Sequence, residues 1–221
     1  MYVLAFDTTA AACSILLKKN DDVLACFNKI MDFGQAEVLI SELQKMLTDN
    51  NLKFADLNLL LVCVGPGSFT GVRSAISAAR TFKLACQELS LGGVSAFDAY
   101  ALGLSEDERA ELNVVIIETK RDDFYVQVFD KNLHKLTPPQ AMMYENIISM
   151  LKGHKVSLIG DGVERFLSRQ SGLCLHGIKM LDMLNIEWLM QAGLSDFADK
   201  KLDYPKPMYL RAPDVAVPKS I

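Results

Sequence analysis

The sequence predicts an α/β protein of two similar lobes, and three observations carry this prediction. The hydrophobic pattern repeats one order of elements along the 221 residues: three strands, a helix, a strand and a helix. An acidic residue ends the first strand of each half, Asp7 and then Glu118. A Gly-x-Gly motif ends the fourth strand of each half, at residues 65–67 and 160–162. Because order, acid and glycines agree, we infer a duplicated RNase-H-like unit with mixed sheets.

The first lobe is assigned to residues 1–105. Alternating apolar residues predict strands over 2–7, 13–18 and 22–30, and a continuous apolar run predicts a buried strand over 59–64. Apolar residues at helical spacing predict an amphipathic helix over 36–48. A second helix is predicted from Thr70, as its N-cap, to about residue 87.

The second lobe is assigned to residues 106–221. It has predicted strands over 113–118, 124–130, 133–137 and 156–159, and predicted helices over 145–151 and 163–169. The tail after Asp203 carries four prolines, at 205, 207, 213 and 218, so it is expected to pack back as an extended segment. Tyr209 and Leu210 are its expected anchors.

Composition excludes several classes of protein. Half of the residues (50%) are apolar and 23% are charged, which is globular composition. The net charge of −4 gives no broad basic field, so unaided RNA binding is not expected. The chain has five cysteines and no CxxC pair. Its first residues do not have the pattern of a signal peptide. We therefore expect a reduced, soluble cytoplasmic protein that does not interact with membranes.

The first candidate site is the segment Asp7, Thr8 and Thr9 at the end of the first strand. A carboxylate and two hydroxyls there could hold hydrated magnesium and phosphate oxygens in the cleft of an actin-like protein. The alternative is that these side chains close a β-turn by bonding to the backbone.

The second candidate site is the loop from Gly65 and Gly67 into the second helix. Free amides at the helix start could attract an anion, yet the lysine of a Walker loop is missing, so a structural turn is the alternative. The three histidines are scattered, at 134, 154 and 176, which argues against a metal site. The GxSxG pattern of serine hydrolases does not occur.

The helix that follows carries a stripe of small residues. Small side chains allow a second helix to approach closely, and apolar residues lie beside the stripe. The helix is therefore either buried in the core or docked on a partner. The stripe consists of Gly71, Ser74, Ala75, Ala78 and Ala85.

Several segments resemble the TsaB (YeaZ) family. They are LAFDTT at 4–9 with Ser14, GPGSFTGVR at 65–73, ETKR at 118–121 with FYV at 124–126, and PMYLRAPD at 207–214. The resemblance covers nearly the whole chain. It implies a two-lobed fold of the actin, Hsp70 and sugar-kinase superfamily, in agreement with the duplication inferred above.

The resemblance implies a non-catalytic dimerisation subunit of the bacterial complex that makes threonylcarbamoyladenosine in tRNA. Its catalytic partner is TsaD-like and its ATPase partner TsaE-like; the complex, not this subunit, uses ATP and magnesium and contacts tRNA. The isolated chain is also a candidate homodimer. The two first-lobe helices would form the partner interface, through Ala36, Leu39, Leu43, Met46, Gly71, Ser74, Ala75, Ala78 and Phe82.

Two departures from the family pattern stand out. Many relatives have histidine where this chain has Gln35, which cannot change its charge near neutral pH. The turn at residues 120–123 (KRDD) is less positive than in relatives. The alternative function is a self-sufficient actin-like phosphotransferase that binds ATP and magnesium at Asp7, Thr8, Thr9, Gly65 and Gly67.

Overall fold

The computed structural model describes residues 1–31, 33–169 and 172–211. They form two five-stranded mixed sheets, with strand orders β3-β2-β1-β4-β5 and β10-β9-β6-β7-β8. In each sheet the central strand pairs antiparallel with the next strand of the chain and parallel with the fourth strand of its half. The two sheets therefore have the same topology.

The first half of the chain contains five strands and three helices. Its strands are β1 (Tyr2–Asp7), β2 (Ala12–Lys19), β3 (Asp22–Ile30), β4 (Leu59–Cys63) and β5 (Ser90–Val94), and its helices are α1 (Gln35–Asp49), α2 (Phe69–Ala85) and α3 (Ala96–Ala101). A 3₁₀ turn over Phe54–Asp56 precedes β4.

The second half repeats this order. Its strands are β6 (Leu112–Ile117), β7 (Asp123–Phe129), β8 (Gln140–Met143), β9 (Lys155–Gly160) and β10 (Cys174–Met180), and its helices are α4 (Tyr144–Leu151), α5 (Val163–Leu167) and α6 (Ile186–Ala198). A 3₁₀ turn over Glu106–Glu108 precedes β6.

The predicted fold class is confirmed: the chain has the duplicated RNase-H-like, two-lobed fold with mixed sheets. The predicted order of three strands, helix, strand and helix is present in both halves. Each half then continues with one further strand and helix that the sequence analysis did not assign. These are β5 and α3 in the first half, and β10 and α6 in the second.

The layers of the molecule explain where its core lies. Helices α1 and α2 cover the outer face of the first sheet, and α4 and α5 cover the outer face of the second. Helices α3 and α6 fill the space between the sheets. The two helices are exchanged between the halves. Helix α3, from the first half, contacts β6 and β9 of the second sheet, and α6, from the second half, contacts β1, β2, β4 and β5 of the first.

This exchange bears on the predicted lobes. Each sheet lies wholly within its predicted range, 1–105 or 106–221, but α6 packs on the sheet of the other half. Gly193 of α6 allows the close approach, since a Cβ there would come within 2.6 Å of the Leu61 side chain. We call the sheet β1–β5 with α1 and α2 the first lobe, and the sheet β6–β10 with α4 and α5 the second.

The strand predicted over 133–137 is wrong. Leu133 has a φ of 63°, and the Asp130 carboxylate accepts the backbone N–H groups of Asn132 and His134, which makes the segment a turn. The segment forms a single bridge, from Phe129 to Lys135. The third strand of this half is β8, a few residues later. Here the hydrogen bonds that the Asp130 side chain accepts from the nearby backbone take the place of the bonds of a strand ladder.

The predicted N-cap of the second helix is also wrong. The helix begins at Phe69, and its cap is Ser68, whose Oγ accepts the N–H of Gly71 at 3.3 Å. Thr70 therefore lies within the first turn. Both residues suit an N-cap by type, so the choice depended on the path of the preceding loop.

The C-terminal tail forms no helix or strand over the described residues 202–211 and packs back on the core. Of its two expected anchors, Leu210 packs against the core between the sheets, whereas Tyr209 is 52% exposed. The prolines at 213 and 218 and the last part of the family-like segment, residues 212–214, lie outside the described residues.

We predict that Leu43→Ala lowers the free energy of unfolding by about 2–5 kcal/mol, because Leu43 is fully buried between α1 and the first sheet. The neighbouring Ile40 is 46% exposed, so Ile40→Ala should cost roughly 0.5 kcal/mol or less. Urea unfolding followed by circular dichroism measures both values. Equal losses would contradict this assignment of core and surface.

Candidate functional site

A cleft of about 1060 Å³ lies between the two lobes. Its walls come from the segments that follow β1, β4, β6 and β9, together with the tail and the start of α2. The carboxyl ends of parallel strands meet at one edge of each sheet, which is where α/β proteins bind ligands. Thr9, Gly67, Glu118 and Asp161 all line it. Of the residues predicted for the two sites of the first lobe, Thr9 and Gly67 line the cleft, whereas Asp7, Thr8 and Gly65 do not.

The segment Asp7, Thr8 and Thr9 bonds to the chain itself. The Asp7 carboxylate accepts the backbone N–H of Thr9 at 2.7 Å, and the Thr8 hydroxyl donates to the Gly71 carbonyl at 2.9 Å. The Thr9 hydroxyl lies 3.5 Å from the Cys63 sulfur. Burial raises the pKa of Asp7, against the lowering effect of its hydrogen bonds with Thr9. These contacts are those of the turn alternative.

The glycines of the 65–71 loop serve a close approach of two backbones. A Cβ at Gly67 would collide with the Thr9 carbonyl, and a Cβ at Gly71 would collide with the Thr8 carbonyl. The Ser68 N–H donates to the Thr9 oxygen at 2.7 Å, which joins the two segments. Gly65 has a φ of 94°, a conformation that favours glycine. The loop thus packs directly on the end of β1.

The acid of the second lobe is held by an arginine. Arg165 of α5 forms two hydrogen bonds with the Glu118 carboxylate, at 2.6 and 2.8 Å, and also donates to the Asp123 carbonyl at 2.8 Å. Its guanidinium lies 3.8 Å from the centre of the Phe124 ring. Partial burial raises the pKa of Glu118, but the bonds from Arg165 and Lys120 outweigh it and hold this pKa below its usual range.

A second acid, Asp161, lies in the glycine motif that follows β9. Its Oδ1 accepts the N–H of Glu118 at 2.9 Å. Burial raises the pKa of Asp161 to about 7, and the charges of Glu118 and Asp7 add to this effect. Burial and the charges of Asp161 and Asp7 also raise the pKa of Tyr100 well above its usual value. The Tyr100 hydroxyl makes no hydrogen bond within 3.5 Å with a described residue.

The predicted partner-interface residues divide into two groups. The buried ones belong to the core of the first lobe or to its contact with Thr8, which leaves them no surface for a partner: Leu39, Leu43, Met46, Gly71 and Ala75. The others are exposed or half-buried: Ala36, Ser74, Ala78 and Phe82. Phe82 stacks on Phe54 of the same chain with ring centres 4.0 Å apart.

The outer surface of α1 and α2 also carries exposed apolar side chains that the sequence analysis did not select. Ile40 is 46% exposed on α1, and Leu84 is 80% exposed near the end of α2. Phe33, at 88%, and Phe69, at 54%, lie before these helices begin or at their start. The sequence signal for Ile40 is its position next to Leu39, one residue outside the buried stripe of α1.

Gln35 begins α1 and lines the cleft. Its side-chain amide donates to the Met31 carbonyl at 3.0 Å, so it closes the loop before the helix. A hydrogen bond of this kind needs no titrating group.

Asp161 and Tyr100 line the cleft but were not predicted from the sequence, and neither was the pairing of Arg165 with Glu118. The signal for Asp161 was its position inside the Gly-x-Gly motif, where the first half has Pro66. Arg165 and Tyr100 are distant from Glu118 in the chain, and their proximity comes from the fold. Within the described ranges, no three His, Cys, Asp or Glu side chains are grouped so as to hold a metal ion, and none of the helices has the length and apolar character to span a bilayer.

Comparison with protein families gives a match over more than half of the chain. The model of the family described as "TsaD: tRNA N6-adenosine threonylcarbamoyltransferase" matches residues 35–170, more than half of the chain. This range runs from α1 to just beyond α5 and contains most of the cleft residues named above.

Curated relatives carry the name "tRNA threonylcarbamoyladenosine biosynthesis protein TsaB". The protein of Escherichia coli is 28% identical over 96% of this chain and 95% of its own length. That of Bacillus subtilis is 26% identical over 76% of this chain and 77% of its own length. The first of these similarities covers nearly the whole chain.

Solved structures support the fold. YeaZ from Pseudomonas aeruginosa superposes with a TM-score of 0.79 at 19% identity, covering 95% of this chain and 99% of that one. The ethanolamine utilization protein EutJ from Carboxydothermus hydrogenoformans gives 0.53 at 13% identity, covering 87% and 89%. At these identities the similarity concerns the fold alone.

We predict that Asp161→Asn flattens the pH dependence of stability. Because folding raises the pKa of Asp161, the folded protein binds more protons than the unfolded chain between about pH 4 and 7, so this group lowers stability as pH rises through that window. Asparagine keeps the Oδ1 acceptor for Glu118 and removes the charge. The variant should therefore gain stability relative to the wild type at pH 8 but not at pH 4.

Urea unfolding at both pH values measures this difference. The control is Asp182→Asn, an exposed acid that also lines the cleft. An equal gain at pH 4 and pH 8 for Asp161→Asn would contradict a buried, titrating carboxyl.

Proposed function

The chain belongs to the TsaB family and carries the domain that the TsaD threonylcarbamoyltransferase model describes, and from this premise we propose that it is a non-catalytic subunit. It takes part in tRNA threonylcarbamoyladenosine biosynthesis by binding and supporting a TsaD-like catalytic subunit, which transfers the threonylcarbamoyl group. A TsaE-like ATPase joins them. The complex uses ATP and magnesium and contacts tRNA, in the cytoplasm, and the isolated subunit can pair with a second copy of itself.

The observation that carries the non-catalytic proposal is that the carboxylates of the two strand-end acids, Asp7 and Glu118, are bonded to groups of the protein itself. Glu118 is in a two-fold hydrogen-bonded ion pair with Arg165, and Asp7 is buried against the Thr9 backbone. A carboxylate that holds hydrated magnesium needs oxygen lone pairs directed at the ion. Here those lone pairs are directed at the protein itself. The glycine loop likewise packs on the segment after β1, where the Thr9 carbonyl accepts the Ser68 N–H.

The surface proposed for the partner is the exposed side of α1 and α2. We define it by Ala36, Ile40, Ser74, Ser77 and Ala78, which are exposed or half-buried on the two helices. Small side chains allow a partner helix to approach the backbone closely, and Ile40, 46% exposed, supplies apolar area. The buried residues that the sequence predicted for the interface, Leu39, Leu43, Met46 and Ala75, act indirectly. They hold the two helices on the first sheet.

We predict that Ile40→Asp and Ala78→Arg each weaken binding of the TsaD-like subunit by at least about tenfold, because a charge would be buried in an apolar contact. Isothermal titration calorimetry of the two purified subunits measures the affinity. The matched control is Ile178→Asp: Ile178 is 47% exposed, like Ile40 at 46%, but lies on β10 of the second lobe.

The affinities of the variants can be compared only if each variant is folded. Circular dichroism spectra and unfolding midpoints of all three should match the wild type, since each site is exposed or half-buried. Wild-type affinity in both helix variants would remove this surface from the interface. An equal loss in Ile178→Asp would show that the effect is not local.

The second candidate function is the actin-like phosphotransferase, and the size of the cleft favours it. A volume of about 1060 Å³ is sufficient for a nucleotide. Titration of the isolated chain with ATP and magnesium separates the two proposals.

We expect no saturable binding of ATP with magnesium, because the strand-end acids are engaged by the protein itself. Saturable binding that is lost in Asp7→Asn would instead support the phosphotransferase. Asparagine retains the oxygen that accepts the Thr9 N–H, so this variant tests the charge without removing the turn.

A further inference from the structure

The C-terminal strap, which we define as residues 202–211, touches both lobes. It starts shortly after α6, whose helix packs on the first sheet. It then crosses the edge of the first lobe and ends at the second lobe. Four of its residues, Met208 to Arg211, form part of the cleft wall.

Backbone hydrogen bonds hold the strap on the first lobe. The Gly93 N–H donates to the Asp203 carbonyl at 2.8 Å, and the Met208 N–H donates to the Val64 carbonyl at 2.9 Å. Between these two points, Arg80 of α2 donates to the Pro205 carbonyl at 2.6 Å. The strap is therefore attached to the first lobe at three points, on β5, on α2 and just after β4.

A pair of glycines in β5 makes room for this path. A Cβ at Gly93 would lie 2.8 Å from the Cα of Pro205, and a Cβ at Gly92 would collide with the Leu202 side chain. Glycine inside a strand often marks the close approach of another backbone. The function proposed above has no need of these glycines, so their fit to the strap is a separate observation.

The other end of the strap is attached to the second lobe. The Arg211 guanidinium forms an ion pair with Asp123, the first residue of β7, and lies 5.5 Å from the centre of the Tyr125 ring. The Arg211 and Asp123 side chains are 23% and 17% exposed, so water and salt screen this pair less than a surface pair. Leu210 packs beside it on the core between the sheets.

We propose that the strap is a latch that sets the angle between the two lobes and so the width of the cleft. Two lobes joined by a hinge change their angle when contacts across the cleft are made or lost. The strap is attached along the first lobe at Gly93, Arg80 and Val64 and to the second lobe at Asp123. Release of either end lets the cleft open.

The test measures the distance between the lobes in the isolated chain by double electron–electron resonance. Spin labels are attached to cysteines at Gln44 on α1 and Glu145 on α4, both exposed. The less buried native cysteines, at 26, 86 and 174, are replaced by serine. Arg211→Glu, which turns the ion pair into a repulsion, should shift the distance distribution to longer values and broaden it.

Three further variants make the result decisive. Gly93→Ala displaces the strap from the first lobe, far from Asp123, and should give the same shift. Arg211→Lys keeps the charge and should retain the wild-type distribution. Lys201→Glu breaks the exposed Lys201–Asp199 ion pair just before the strap and should have no effect. An unchanged distribution in Arg211→Glu overturns the latch, whatever the partner-binding experiments show.

Discussion

The structure depends on a close approach of backbones at the strand ends of both lobes. Gly67 and Gly71 lie against the carbonyls of Thr9 and Thr8, and in the second lobe Gly160 lies against the carbonyl of Ile116. A Cβ at any of these positions would collide with main-chain atoms, which cannot move aside as a side chain can. Because both halves of the chain have this close backbone contact, the contact reflects the duplication. It also fixes the position of the loops that form the cleft walls.

This constraint affects the chemistry that the cleft can support. When the glycine loop packs on β1, the loop amides and the Asp7 turn bond to each other, as the Ser68 N–H and the Thr9 carbonyl do. In the second lobe the Arg165 guanidinium balances the charge of the Glu118 carboxylate. The cleft is present as a space, while the two strand-end acids, Asp7 and Glu118, bond to the protein itself. This is the physical basis for proposing a supporting subunit that binds its partner through the outer side of α1 and α2.

Much of the fold could be predicted because its signals are local. The strands β1, β3 and β4 and the helix α1 follow from periodicity within short windows, and their bounds agree with the structure to within a residue or two. Of the predicted segment Asp7 to Thr9, only Thr9 lines the cleft, because Asp7 and Thr8 are buried beneath it. The strand over 133–137 failed because Asp130 binds the following amides, and this competition depends on the local path.

The sequence by itself determined the duplicated order of elements, the positions of the strand-end acids and glycines, and the family resemblance, because all three are properties of short segments. The tertiary structure alone decided which helix faces are covered, the exchange of α3 and α6, the pairing of Glu118 with Arg165 and the path of the strap. Each of these joins segments that are distant in the chain. Leu43 shows the difference: its helical spacing predicted an apolar stripe, but only the packed sheet shows that the stripe faces inward.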